Sequence, residues 1–213
     1  MENYSKTIAQ QLLNIKAIKL SPAEPFTWAS GWKSPIYCDN RKALSYSHVR
    51  TYIKNAFADE ARRLYSNFDV VAGVATGAIA QGALVADLLD KPFIYIRSAP
   101  KNHGLENLIE GDLKKGQKVL VIEDLISTGG SSLKAVEAVR NAGAEVVGML
   151  AIFTYGFPIS VDAFKEANVK LNTLSNYNDM IEAAVEDGYV TADDIDTLKE
   201  WRKDPANWRN DLK

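Results

Sequence analysis

Five short apolar runs between residues 70 and 174 alternate with segments whose apolar residues recur at helical spacing. Runs of this length, rich in β-branched and aromatic residues, are typical of parallel strands that helices cover on both faces. The predicted strands are residues 70–75, 93–97, 119–122, 146–153 and 169–174. The alternation therefore predicts a doubly wound, mainly parallel five-stranded α/β sheet, with its ligand site beyond the carboxyl ends of the strands.

Helical spacing also predicts the elements around this sheet. The helices are predicted over residues 4–16, 47–65, 78–89, 131–142 and 159–167. Residues 25–40 are rich in Gly, Ser, Pro, Trp and Tyr, which predicts short strands joined by tight turns. We expect a single domain, made of an N-terminal hood (1–45), an α/β core (46–175) and two C-terminal helices (176–213).

Composition narrows the class of protein. A chain of 213 residues with 46% hydrophobic content can bury a sizeable core, and its formal net charge of −2 argues against general nucleic-acid binding. Cys38 is the only cysteine, which excludes an intramolecular disulfide and a cysteine-built metal cluster and fits a reducing compartment. No apolar run has membrane-spanning length. We expect a cytoplasmic protein without a membrane or nucleic-acid partner.

Residues 119–132, VLVIEDLISTGGSS, lead from a buried strand through two acids and a turn of small residues into a helix. The turn offers backbone N–H groups, and Ser131 or Ser132 can cap the helix, so we expect a phosphate at its positive end. Glu123 and Asp124 are acceptor-only carboxylates that suit a pair of sugar hydroxyls. The segment predicts a ribose 5-phosphate site, and a simple tight turn is the alternative.

The common nucleotide motifs GxxxxGK[ST] and GxGxxG are absent, so this is a different phosphate-binding device. Its order of apolar residues, two acids, an apolar pair and a Thr/Ser/Gly turn resembles the signature of the type I phosphoribosyltransferases. The resemblance implies the type I phosphoribosyltransferase fold and phosphoribosyl pyrophosphate (PRPP) as a substrate. It implies that Glu123 and Asp124 hold the ribose diol. It also implies that the 5-phosphate is wrapped, mainly through backbone, by Leu125, Ile126, Ser127, Thr128, Gly129, Gly130 and Ser131.

A basic loop, residues 97–104, follows the second predicted strand. Its Arg97, Lys101 and His103 offer a planar donor, a flexible charge and a proton donor near neutral pH, although a charged surface loop is the alternative. The loop resembles the lid of the orotate phosphoribosyltransferases, R-[KS]-x-x-K-x-H-G, with Ser98 at the variable position. The resemblance implies that the three cations act in catalysis by neutralising pyrophosphate, and that the lid reaches the neighbouring subunit of a homodimer.

Residues 26–41, FTWASGWKSPIYCDNR, resemble the FTxxSGxxSPxYxD segment by which the same family recognises its base. Orotate is a planar anion, which needs a wall, backbone hydrogen bonds and a partner for its carboxylate. We expect Tyr37 and Cys38 to form the wall and the turn at Ser30 and Gly31 to donate N–H groups. The alternative for the aromatic residues is that they only pack the domain or a dimer face.

Two departures from the pattern of the family modify this expectation. Ala29 stands where many members have a lysine, and the region IFTYGFP after the fourth strand lacks an arginine that some members place there. Ser127 remains the side chain expected to contact the base. In the turn after the first sheet strand, Thr76 and Gly77 let the backbone approach the pyrophosphate, or serve only to pack a helix closely on the strand.

The three motifs together imply transfer of ribose 5-phosphate from PRPP to N1 of orotate, which yields orotidine 5′-monophosphate and pyrophosphate in pyrimidine synthesis. We expect Mg²⁺ to be bound mainly through PRPP and water, without a protein ligand set. One alternative is a PRPP-sensing regulator, which would need a helix-turn-helix extension or a basic face. A purine or uracil transferase is the other, and the base segment and the lid disfavour it.

Overall fold

The computed structural model describes residues 4–99 and 108–209. Seven α-helices lie in these ranges, and a 3-10 helix spans Asn40–Ser45. The helices are α1 (Tyr4–Asn14), α2 (Ser47–Leu64), α3 (Ile79–Leu89), α4 (Gly130–Asn141), α5 (Pro158–Glu166), α6 (Tyr177–Glu186) and α7 (Asp194–Lys203). The strands are β1 (Ile18–Leu20), β2 (Phe26–Thr27), β3 (Lys33–Ser34), β4 (Ile36–Cys38), β5 (Val70–Val74), β6 (Phe93–Ile96), β7 (Ile109–Glu110), β8 (Lys118–Ile126), β9 (Glu145–Thr154) and β10 (Leu171–Asn176).

The central sheet has the strand order β10-β9-β8-β5-β6-β7. Its first five strands are parallel, which confirms the predicted strands and their direction. The prediction of five strands was wrong by one, because β7 pairs antiparallel with β6 at the edge. A strand of two residues is too short to leave a periodic pattern in the sequence.

Strand β8 shows why the apolar runs are continuous. Leu120 and Ile122 pack into a cluster with α1, α2, α3, α6 and α7, whereas Val119 and Val121 pack into the cluster that contains residues of α4 and α5. Successive side chains of a strand point to opposite faces, so a strand covered on both sides needs apolar residues at every position. The core therefore lies in two layers, one on each face of the sheet.

The hood contains two small antiparallel sheets, β1 with β4 and β2 with β3. A tight turn joins β2 to β3, as predicted. Gly31 lies there in the left-handed region (φ 85°), and its N–H donates to the Trp28 carbonyl at 2.8 Å. The C-terminal segment holds this hood in place. The fully buried Trp201 of α7 donates Nε1–H to the Lys33 carbonyl at 3.1 Å, and Arg209 Nη1 donates to the Pro22 carbonyl at 3.1 Å.

An aromatic cluster joins the hood to the core. Trp201 packs edge-on against Trp28 (5.6 Å between ring centroids), Tyr155 (5.6 Å) and Phe157 (5.3 Å). Trp28 also donates Nε1–H to the Ile36 carbonyl at 3.1 Å. Trp28 therefore packs the hood against the core, which is the alternative role named for the aromatic residues of this segment.

Among the described helices, none has the length and apolar character that crossing a membrane requires.

Candidate active site

Three segments that are far apart in sequence meet at the carboxyl ends of β5 and β8. They line one cavity of about 360 Å³. The lining residues come from the hood (Cys38, Asp39, Arg41), from the turn after β5 (Thr76, Gly77) and from the end of β8 and the loop beyond it (Asp124, Leu125, Ser127). This is the edge of the sheet at which a doubly wound fold places its ligand.

Helix α4 begins at Gly130, and Gly129 precedes it in the left-handed region (φ 84°). A Cβ on Gly129 would lie 2.9 Å from the Phe164 ring, so conformation and space both require glycine here. The predicted cap by Ser131 or Ser132 was wrong, because both residues lie inside the first turn of the helix. The first N–H groups of a helix have no intrahelical acceptor, so the amino end of α4 favours an anion.

The two acids of the loop lie in different environments. Glu123 is only 4% exposed, and its carboxyl group accepts hydrogen bonds from Ser132 Oγ (2.8 Å) and from the Asp124 N–H (2.9 Å). Burial, and then the charge of Asp124, raise the pKa of Glu123 well above its ordinary value. Asp124 is only partly buried and lines the cavity. The structure therefore brings the Asp124 carboxylate to the cavity and encloses that of Glu123 in hydrogen bonds.

Gly77 contacts the Asp124 carboxylate directly. A Cβ at position 77 would lie 2.1 Å from Asp124 Oδ2, which is closer than any two such atoms can approach. Close helix-to-strand packing, the alternative for this glycine, is instead the role of Gly73 and Gly82, where an added Cβ would meet the Ala78 carbonyl at 2.7 Å or the Phe93 ring at 2.9 Å. Gly77 thus makes room for an acid at the site.

The hood contributes the wall of the cavity. Cys38 lines it, and burial, followed by the charges of Asp124 and Asp39, raises the pKa of the thiol well above its ordinary value. Tyr37 is 42% exposed and packs against the Phe26 ring at 5.9 Å. Ser30 and Gly31 are exposed at the tip of the β2–β3 turn and are not lining residues. Of the two residues predicted to form the wall, Cys38 lines the cavity and Tyr37 is exposed to solvent.

Sequence reasoning missed a charged pair in the cavity. Arg41 donates from Nε to Asp39 Oδ1 (2.7 Å) and from Nη2 to Asp39 Oδ2 (3.0 Å), and these hydrogen bonds lower the pKa of Asp39. Both residues line the cavity, where Arg41 supplies a positive charge. The available signal was the tripeptide DNR, which directly follows Tyr37 and Cys38. The motif FTxxSGxxSPxYxD ends at the aspartate of this tripeptide and does not include Arg41.

The structure places Arg97 in a different cavity. That cavity, of about 530 Å³, is lined by Arg97, Ser98, Ser131 and Lys134 among others, and Arg97 Nη1 lies 3.6 Å from Glu110 Oε1. The structure therefore does not bring Arg97 together with Asp124 and Ser127 in one cavity. The predicted lid residues Lys101, His103 and Gly104 lie outside the described residues.

Comparison with known proteins fits this geometry. Residues 40–185 match the model of the phosphoribosyl transferase domain, so the chain belongs to that class of transferases. An orotate phosphoribosyltransferase of Bacteroides fragilis is 61% identical over 208 residues, which is 98% of each chain. One of Listeria monocytogenes is 57% identical over 203 residues, 95% of this chain and 97% of the relative. Within its class, the chain belongs to the orotate phosphoribosyltransferase family.

A solved structure supports the same assignment. The crystal structure of orotate phosphoribosyltransferase from Aeropyrum pernix has a TM-score of 0.70 with this chain at 26% sequence identity, and the match covers 82% of this chain and 97% of that one. The expected type I phosphoribosyltransferase fold is therefore confirmed.

Proposed function

We propose that the chain transfers the ribose 5-phosphate group of PRPP to N1 of orotate, which yields orotidine 5′-monophosphate and pyrophosphate in pyrimidine synthesis. The observation that carries the proposal is the meeting of Cys38, Asp124 and Ser127 in one cavity. These residues belong to the base segment, the ribose-binding acids and the phosphate loop. The relatives from Bacteroides fragilis and Listeria monocytogenes, which bear the name of this activity, support the choice of base.

In this proposal the 5-phosphate lies at the amino end of α4 and accepts hydrogen bonds from the backbone of residues 125–131. The first-turn N–H groups and the helix dipole favour an anion at that point. Asp124 accepts from the ribose hydroxyls at the cavity. Glu123 is the second acid of the proposed ribose site, although it is largely buried and already accepts a hydrogen bond from Ser132 Oγ. Ser127 and Tyr37 contact the orotate ring, and Cys38 backs it.

The reaction needs stabilisation of charge on the departing pyrophosphate rather than a protein nucleophile. The anomeric C–O bond breaks through an oxocarbenium-like transition state and pyrophosphate leaves with the bonding electron pair, while orotate N1 gives up its proton and bonds to the opposite face. When bound through the diphosphate oxygens and water, Mg²⁺ supplies part of this charge stabilisation. The protein would contribute no ligand set of its own, and the partly buried carboxylate of Asp124 at the cavity would offset part of the positive charge of such an ion.

The lid cations Arg97, Lys101 and His103 supply the remaining positive charge in this proposal. Because residues 97–104 resemble the lid of the family, we also propose a homodimer whose lids complete the neighbouring subunit's site. Arg97 itself lines a cavity with Gly130 and Ser131 of its own phosphate loop. The surface of α3 supports the same assembly: the side that is not fully buried carries mainly apolar residues, namely Ile79, Ala80, Ala83, Leu84 and Leu88. A partly open apolar helix face of this kind is typical of subunit contacts. We also propose a cytoplasmic location.

Mixing two inactive variants tests the shared site. Asp124→Asn removes the ribose acceptor from one subunit, and Lys101→Ala removes a lid cation. If lids cross the interface, a mixed dimer has one site with both defects and one site with neither, so unfolding and refolding the two variants together should restore activity. Each variant refolded alone is the control. Mixtures no more active than the separate variants would refute a lid shared between subunits.

A further inference from the structure

The buried side chain of Asn40 links the base segment to the ribose-binding strand. Asn40 is 2% exposed and begins the 3-10 helix that follows β4. Its Nδ2 donates to the backbone carbonyl of Asp124 at 2.7 Å, across 84 residues of sequence. Its Oδ1 accepts from Cys38 Sγ at 3.3 Å. One amide therefore bridges two residues that line the same cavity from different segments.

The amide of Asn40 satisfies both hydrogen bonds at once. The Asp124 carbonyl can only accept, so the NH₂ group of Asn40 must face it, and the oxygen must then face Cys38. The Cys38 thiol keeps its proton, because burial and the charges of Asp124 and Asp39 disfavour the thiolate, and it can therefore donate to that oxygen. Of the common side chains, only an asparagine or the longer glutamine both donates and accepts through a planar amide.

We infer that Asn40 is a positioning residue, which sets the spacing between the orotate wall and the ribose grip. The inference rests on the proposed function, in which Cys38 backs the orotate ring and Asp124 holds the ribose. N1 of orotate and the anomeric carbon must approach in line, and a displacement of about 1 Å can cost about 10²-fold in rate. Because Asn40 contacts neither reacting group, its effect is on the reaction geometry.

A residue that only stabilised the hood would behave differently when it is replaced. Its loss would lower the unfolding temperature and leave the folded molecules with ordinary kinetics. A positioning residue instead lowers kcat, because each substrate still binds its own half of the site while the two halves are no longer held in register. The separation of kcat from KM therefore distinguishes the two roles.

Tyr65→Phe is the matched control. Tyr65 is 6% exposed and donates its hydroxyl to Asn172 Oδ1 at 2.9 Å. This hydrogen bond lies near the amino end of β10, whereas the cavity lies at the carboxyl ends of the strands. Like Asn40→Ala, the change removes one buried hydrogen-bonding group, so both variants are expected to lose stability by a similar mechanism.

The experiment compares initial rates of orotate consumption with PRPP and Mg²⁺ in the wild-type protein, Asn40→Ala and Tyr65→Phe, with thermal unfolding measured in parallel. For Asn40→Ala we expect kcat to fall by about tenfold or more and the KM for PRPP to change by less than about threefold. Tyr65→Phe should keep kcat within about twofold of the wild-type value. If Asn40→Ala does not fold, Asn40→Ser serves instead, because serine is too short to reach the Asp124 carbonyl.

Two results would overturn the inference. One is a kcat for the Asn40 variant within about twofold of wild type, and the other is an equal fall of kcat in Tyr65→Phe, which would indicate a general effect of lost stability. An inactive wild-type protein would instead refute the proposed function itself. The two failures are therefore distinguishable within the same set of measurements.

Discussion

Replacing Gly77 with alanine tests whether Asp124 acts from the position that the structure gives it. The new Cβ would lie 2.1 Å from Asp124 Oδ2 and 2.3 Å from Cγ, whereas ordinary contact begins at 3.4 Å. The carboxylate must therefore retreat by roughly 1 Å or more, a displacement that can cost about 10²-fold. Because Asp124 is only partly buried, its side chain can turn toward solvent, and we expect the fold to remain intact.

A loss of about 10²-fold in kcat/KM for PRPP corresponds to about 2.7 kcal/mol of transition-state stabilisation. Initial rates over a range of PRPP concentrations measure it, and thermal unfolding monitors the fold. Gly148→Ala provides the contrast, since its Cβ would lie 2.3 Å from the Tyr65 ring and far from the cavity. We expect that change to destabilise the protein by about 1–3 kcal/mol while the folded molecules keep their turnover. A Gly77→Ala protein with kcat/KM within about threefold of wild type would refute the role of Asp124.

Three further predictions concern the lid, the buried acid and the C-terminal helix. Lys101→Ala should cut turnover strongly without changing the unfolding temperature, and an unchanged rate would remove the lid from the mechanism. The pKa of Glu123 is raised in the folded protein, so above its ordinary pKa of 4.5 the unfolded chain releases a proton that the folded protein keeps. This group therefore makes the free energy of unfolding of the wild-type protein fall as pH rises. Denaturant unfolding at about pH 5 and about pH 8 should show a smaller fall for Glu123→Gln, and equal falls would contradict the assignment. Trp201→Phe leaves the Lys33 carbonyl without its hydrogen-bond donor and should cost about 1–3 kcal/mol of stability. Because Lys33 belongs to the hood, the KM for orotate should also rise. An unchanged KM would show that α7 does not hold the hood in its orotate-binding position.

The parallel strands were predictable from sequence because burial on both faces leaves a strong signal. Leu120 and Ile122 face one layer and Val119 and Val121 face the other, so apolar residues occupy every position of the run. The two residues of β7 give no such signal, and their pairing depends on the position of β6. The helix cap was mispredicted for a related reason: the sequence offers suitable residues, but the left-handed turn at Gly129 decides where α4 begins.

The candidate site was predictable only where a motif is contiguous. The loop that contains Asp124 and Ser127 is one such motif, and the structure brings both residues to the cavity. The bridge from Asn40 to Asp124 joins positions 84 residues apart, and a single sequence carries no distance between them. Arg41 was missed for the same reason, since its role in lining the cavity follows from the packing of the hood on β8.

The most direct test of the account is the loss of orotate's ultraviolet absorbance in the presence of PRPP and Mg²⁺, with uracil, hypoxanthine and adenine offered separately. We predict that orotate alone is consumed and that orotidine 5′-monophosphate and pyrophosphate appear in equal amounts. Consumption of another base in preference to orotate would contradict the assigned base segment. Binding of PRPP without turnover of any base would contradict the enzyme and favour a PRPP-sensing regulator.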